Sequence, residues 1–144
     1  MNIDNDSVDS LFIQKGAVTM SERYGRFMAW GLRVEELALF FAGLWVWHVL
    51  AQDWGLFLLW FLAPDLSMLG FVLSQRIGTI AYNVVHHRGL ALLVAGYGAA
   101  TETEWVLLTG IILFTHIALD RVFGFGLKYF SGFRHTHLNH AGGN

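Results

Sequence analysis

The chain has 144 residues, enough for one domain, and 55% of them are hydrophobic against 14% charged. A water-soluble domain this small exposes too much surface to carry so few charges, so an ordinary soluble fold is excluded. The formal net charge of −2 gives no electrostatic case for nucleic acid, and the absence of cysteine excludes disulfides, thiolate metal sites and a cysteine nucleophile.

Residues 1–27 are polar, with Asp4, Asp6 and Asp9 near the start, and read as an interfacial tail rather than a cleavable signal peptide. A first apolar segment occupies 28–51, densest over 37–51, with Glu35 and Glu36 at its beginning. The second, 54–73, carries a single charge, Asp65, directly after the only proline, Pro64. The third, 77–100, is apolar except for Asn83, His86, His87 and Arg88 near its middle. The fourth, 105–125, holds His116 and Asp120, whose i, i+4 spacing puts both on one helix face. Residues 126–144 form a polar tail with His135, His137 and His140. The expectation is an all-α integral membrane bundle of four transmembrane helices over 28–125, flanked by the tails 1–27 and 126–144.

The basic residues orient this bundle. Lys15, Arg23, Arg26 and Arg33 precede the first segment, Arg76 joins the second and third, and Arg121, Lys128 and Arg134 end or follow the fourth. The other two connections hold no Lys or Arg. Both termini on the cytoplasmic side of the inner membrane satisfy the positive-inside rule at every connection. That arrangement also gathers Trp45, Trp47, Trp54 and Trp105 near the outer boundary, where an aromatic belt belongs.

With the orientation set, depth follows from a rise of about 1.5 Å per residue. Asp65, His86 and His116 then lie at a common level roughly 12–14 Å from the cytoplasmic ends. Asn83 and Asp120 lie shallower, at roughly 6–9 Å, and Glu35 or Glu36 near about 5 Å. A central Asp or Arg costs about 2.5–3.5 kcal/mol on an insertion scale, so each span can carry one but is not expected to face it to lipid. Pro64 cannot donate to the carbonyl of Trp60 and loosens the helix beside Asp65, which membrane interiors tolerate where the backbone lines a polar cavity. His116 and Asp120 are two metal ligands, a ligand with its supporting carboxylate, or a hydrogen-bonded pair holding helices together. Arg88 either pairs with Asp65 or holds a phosphate or carboxylate of a substrate. Tyr82 reads as a packing residue.

Several of these stretches, taken together, resemble a small bacterial membrane family known as domain of unknown function 4260. The resemblance rests on Leu32-Arg33-Val34-Glu35, Ala63-Pro64-Asp65-Leu66-Ser67, Tyr82-Asn83 with His86, His116-Ile117 with Asp120-Arg121, Gly124-Phe125-Gly126-Leu127-Lys128-Tyr129, and Gly132-Phe133 with Thr136-His137. It implies a small integral membrane protein and no particular activity. It also favours Glu35, Asp65, Asn83, His86, His116, Asp120 and His137 over Glu36, His87, His135 and His140. More distantly, Pro64-Asp65, His87-Arg88-Gly89 and His116-x-x-x-Asp120 with Gly126-Leu127 look like parts of predicted inner-membrane metal-dependent hydrolases.

The expected function is a metal-dependent hydrolase embedded in the membrane and open to the cytoplasm. Asp65, His86, His116, Asp120 and His137 are the metal candidates, for a divalent zinc, manganese or iron ion. Glu35, as general base, and Asn83 are the catalytic candidates. Depth alone suggests a lipid or other amphipathic ester or phosphoester as substrate. The alternatives are a non-catalytic subunit of a larger membrane complex, associated with pigment or haem, and a proton or ion carrier. The several glycines suit close docking, in a homo-oligomer or such a complex.

Overall fold

Helix-breaking residues cut the apolar stretches into six α-helices and one 3-10 helix among the described residues. The computed structural model describes residues 5–51 and 53–129. The order is α1 (Asn5–Leu50), α2 (Trp54–Phe61), a 3-10 helix (Ala63–Leu69), α3 (Gly70–Leu73), α4 (Gln75–Val85), α5 (Arg88–Ala100) and α6 (Glu104–Val122). The all-helical expectation holds. The helix α1 runs unbroken from Asn5 across residue 27, where the sequence reading ends the polar tail.

Each break has a local cause. Asp53 caps α2 by accepting from the Leu56 amide at 2.9 Å. The α-helix stops at Phe61 and the chain tightens into 3-10 form around Pro64, with the Asp65 amide donating to the Leu62 carbonyl. Ser74 turns extended and caps α4 through the Ile77 amide at 3.1 Å. The third segment was expected as one continuous helix, but it divides at His86 and His87. His87 caps α5, its Nδ1 accepting from the Leu90 amide at 3.3 Å. An imidazole used this way ends one helix and starts the next, which sets α4 and α5 on different courses.

The helix α6 is the centre of the fold. It packs along α1 and α5 and touches α2, and its buried face runs through Gly110, Ile111, Ile112, Thr115, His116, Ile117 and Ala118. Small residues bring the backbones together. A Cβ on Gly110 would stand 2.6 Å from the Ala95 Cα, and one on Gly98 would stand 2.7 Å from the Leu107 Cα, so α5 and α6 are in backbone contact. Trp47, Phe57, Ile111 and Ile112 form the apolar core at the far end from the site. From Phe57, ring contacts at 5.1 Å pass through Phe61 to the His116 imidazole.

Gly124 ends α6 in the left-handed conformation, at φ +83°. Its amide donates to the Arg121 carbonyl at 3.0 Å, and the Phe125 amide donates to the Asp120 carbonyl at 2.8 Å. This paired closure satisfies the last turn and folds the chain back under the bundle.

Many large apolar side chains stand on the outer surface. Two helical stretches, Trp54–Leu73 and Glu104–Val122, are long and apolar enough to cross a membrane. In the first of them only 11% of the most apolar window is buried. Leu59, Val72 and Leu73 stand 71%, 82% and 76% exposed. A core helix of a soluble protein turns its apolar side chains inward, and this one does not.

Candidate metal centre

Three separate elements bring imidazoles and carboxylates to one point. Asp65 comes from the 3-10 helix, His86 from the end of α4, and His116 with Asp120 from the buried face of α6. The donor atoms of Asp65, His86 and His116 all lie within 4.8 Å of one another. His86 Nε2 is 3.9 Å from Asp65 Oδ1 and 3.5 Å from Asp120 Oδ2. His116 Nε2 is 3.5 Å from Asp65 Oδ1 and 3.8 Å from Asp120 Oδ2.

Those separations carry chemical information. They are too long for good hydrogen bonds, which run to about 3.2 Å between heavy atoms. Two ligands each about 2.1 Å from a shared ion and at a tetrahedral angle stand about 3.4 Å apart. The observed values sit just above that figure. The Nε2 atoms of both histidines are also buried with no hydrogen-bond partner among the described residues. A buried polar nitrogen without a partner is costly, and two of them aimed at the same pair of carboxylates can be satisfied together by one cation.

The supporting shell holds His86 in the required form. Its ring Nδ1 lies 3.0 Å from the Tyr82 carbonyl oxygen, an acceptor only, so Nδ1 carries the proton and Nε2 keeps its lone pair for the centre. The imidazole also stacks on the Tyr82 ring, with centroids 3.8 Å apart and planes 14° from parallel. The Tyr82 hydroxyl donates to Asp120 Oδ2 at 3.2 Å, so one tyrosine steadies a histidine and a carboxylate at once. The His86 and His116 side chains are 3% and 5% exposed, whereas Asp65 is 43% exposed and forms the open edge of the group. A buried group of this composition could bind a metal.

The remaining candidates from the sequence fall in different places. Asn83 does not face the centre with its amide; it clamps the returning chain. Its Nδ2 donates to the Lys128 carbonyl at 2.8 Å, and its Oδ1 accepts the Lys128 amide at 2.7 Å. That clamp buries Lys128, whose amine lies 4.5 Å from the centre of the Tyr82 ring. Burial pushes the amine's pKa down, while Asp120 and Asp65 pull it back up. Glu35 is exposed on α1, and the neighbouring Glu36, about 100° around the helix, is the one turned inward. Arg88 pairs with Glu36 and not with Asp65. His87 is spent as the α5 cap. His135, His137 and His140 lie outside the described residues.

Tyr82 is the contact of the His/Asp group that sequence reasoning passed over. The available signal was its i, i+4 relation to His86, the same spacing that singled out His116 and Asp120. Tyr82→Phe removes the hydroxyl and leaves the stacking ring. It is expected to weaken metal retention about 10–100-fold, as loss of an outer partner typically does. Competition with a chromophoric chelator measures this, and unchanged retention would show that the hydroxyl plays no part in holding the ion.

The profile of a family described as Domain of unknown function (DUF4260) matches residues 29–141. No curated protein and no solved structure matches the chain.

Proposed function

The chain belongs to this family of unknown function, and we propose that here the domain is a membrane-embedded, metal-dependent hydrolase. One observation carries the proposal. Two buried imidazole nitrogens without hydrogen-bond partners converge on two carboxylates at the spacing of ligands around one ion. His86, His116 and Asp120 would hold zinc, manganese or iron and leave a fourth position for a water or substrate oxygen, with Asp65 beside it. A divalent metal held there would bring the pKa of a bound water toward neutrality and polarise an ester or phosphoester.

The chain's own groups divide the remaining work. His86 and His116 bind as neutral imidazoles, the first fixed by the Tyr82 carbonyl. Asp120 is held by the Tyr82 hydroxyl and serves as the rigid carboxylate. Asp65, on the irregular stretch after Pro64 and partly open, is the carboxylate positioned to meet an incoming water and take its proton. The apolar outer surface favours a bilayer setting, with four crossings and both termini cytoplasmic. The third crossing is made by α4 and α5 together, and an amphipathic substrate would reach the site from the surrounding lipid.

Elemental analysis of the full chain, purified gently in a nonionic detergent, tests this directly. About one equivalent of zinc, manganese or iron per chain is expected, removable by chelator together with hydrolysis of a chromogenic ester or phosphoester. Protein that carries no metal and takes none up from solution would end the proposal.

A further inference from the structure

Beside the metal centre lies a second polar group that the hydrolase reading leaves unused. Glu36 on α1 is met by two arginines from different helices. Arg88, the first residue of α5, reaches Glu36 Oε2 through one terminal nitrogen. Arg121, in the last turn of α6, places its Nη1 3.7 Å from Glu36 Oε1. The three side chains are only 14–24% exposed.

The charges in this group do not balance. Two guanidiniums share one carboxylate, which leaves one positive charge over in a region of low polarity. The forks are also half used. Arg88 Nε is buried with no hydrogen-bond partner among the described residues, and the contact from Arg121 is longer than a hydrogen bond. Arg88 also meets the face of Phe114, at 5.6 Å. An ion pair evolved simply to tie helices together would be expected to engage the fork of at least one arginine fully.

The position of the pair is informative. Arg121 follows the carboxylate Asp120 in the chain, and Arg88 lies two residues beyond His86. Arg121 lines the same small cavity as Tyr82, His86 and Asp120. Arg121 therefore borders both Glu36 and the cavity beside the centre. We infer that Arg88 and Arg121 form a binding site for a phosphate group of the substrate, with Glu36 holding the guanidiniums until the phosphate arrives.

Phosphate fits where a second carboxylate would not. Its several oxygens can fill both forks at once, including the idle Nε of Arg88. One negative charge, that of a singly ionised phosphomonoester or of a phosphodiester, brings the group of two arginines and one glutamate to neutrality. The inference rests on the hydrolase reading for what happens to the phosphoester, but anion binding can be measured without turnover.

The test uses the full chain in nonionic detergent, with short-chain phosphatidic acid, inorganic phosphate and the matching neutral diacylglycerol as probes. Binding is read from the thermal midpoint and from tryptophan fluorescence. The phosphatidic acid is expected to bind more tightly than the diacylglycerol. Arg121→Gln and Arg88→Gln are each expected to weaken that binding at least 10-fold. Glu36→Gln should act in the opposite sense and tighten it several-fold, because it removes the internal competitor. A merely structural ion pair predicts no such gain, so this variant keeps the test decisive even if an arginine variant fails to fold. Competition by inorganic phosphate would identify a free anion as sufficient, and its failure to compete would identify the lipid headgroup as the source. Equal binding of the neutral lipid, or weaker binding in Glu36→Gln, overturns the inference. Metal content of the same preparations keeps the two proposals apart: arginine-dependent binding in protein that holds no metal removes the hydrolase and leaves the anion site.

Discussion

Replacing His116 by alanine is expected to strip the protein of its metal. The imidazole comes from the most buried stretch of α6, and its Nε2 has no hydrogen-bond partner among the described residues. Truncation removes one of the ligands and leaves Asp65 and Asp120 without the imidazole that lies 3.5 Å from the first and 3.8 Å from the second. The loss should exceed the 10–100-fold typical of an outer partner, taking the content from about one equivalent to near zero after dialysis. His87→Ala supplies the contrast, because it deletes an imidazole only one residue from His86. That ring caps α5 from an exposed position, so the expected cost is about 1 kcal/mol of stability with metal retained. Elemental analysis of the two variants side by side decides the matter. Full metal in His116→Ala, or equal loss in both, would mean the ion is held elsewhere.

The largest expected effect on stability comes from Gly110. A side chain there meets the Ala95 Cα and Cβ, each 2.6 Å from the added Cβ, and backbone cannot swing aside as a flexible side chain can. Gly110→Leu must therefore push α5 and α6 apart. A loss of about 3 kcal/mol or more is expected, at the upper end of the usual range for overpacking. Because α6 carries His116 and Asp120 while His86 precedes α5, the same wedge should loosen the metal centre. Gly96→Leu is the control on the same helix pair: nothing lies within 4 Å of its Cβ, and leucine is the better helix former. Thermal unfolding in detergent should drop steeply for the first and stay level or rise for the second. Equal behaviour would show that the helices are not in backbone contact at Gly110.

Much of the centre could be read from the chain because membrane burial makes each polar residue conspicuous. Asp65, His86, His116 and Asp120 stood out against apolar surroundings, and a helical rise was enough to put them at comparable depth. Pro64 likewise announced the irregular backbone that carries Asp65. What escaped was whatever depended on direction. Depth counting treats 77–100 as one rod, on which Arg88 can lean toward Asp65. The break at His86 and His87 starts a new helix with its own axis, and Arg88 is carried to Glu36 instead. Glu35 and Glu36 occupy almost the same depth and differ only in which way they point around α1. Asn83 shared a face with His86 and so looked like part of the site, yet its amide matches the backbone of Lys128, far along the chain. Tyr82 is apolar enough to pass for packing, and only its hydroxyl, aimed at Asp120, gives it away.

The division of the third segment also bears on how the protein is made. At 11 and 13 residues, α4 and α5 are each well short of the roughly 20 needed to cross a bilayer. On the proposed four-crossing topology, neither could be committed to the membrane alone as it emerges from the ribosome. They would be threaded in as one piece, with the imidazole of His86 already at their joint. The last donors would arrive only when α6 is synthesised, so the polar joint would have to wait inside the bilayer for its partners. A nascent chain stalled near residue 100 would hold that joint exposed, and such a species is the natural target for quality-control proteolysis.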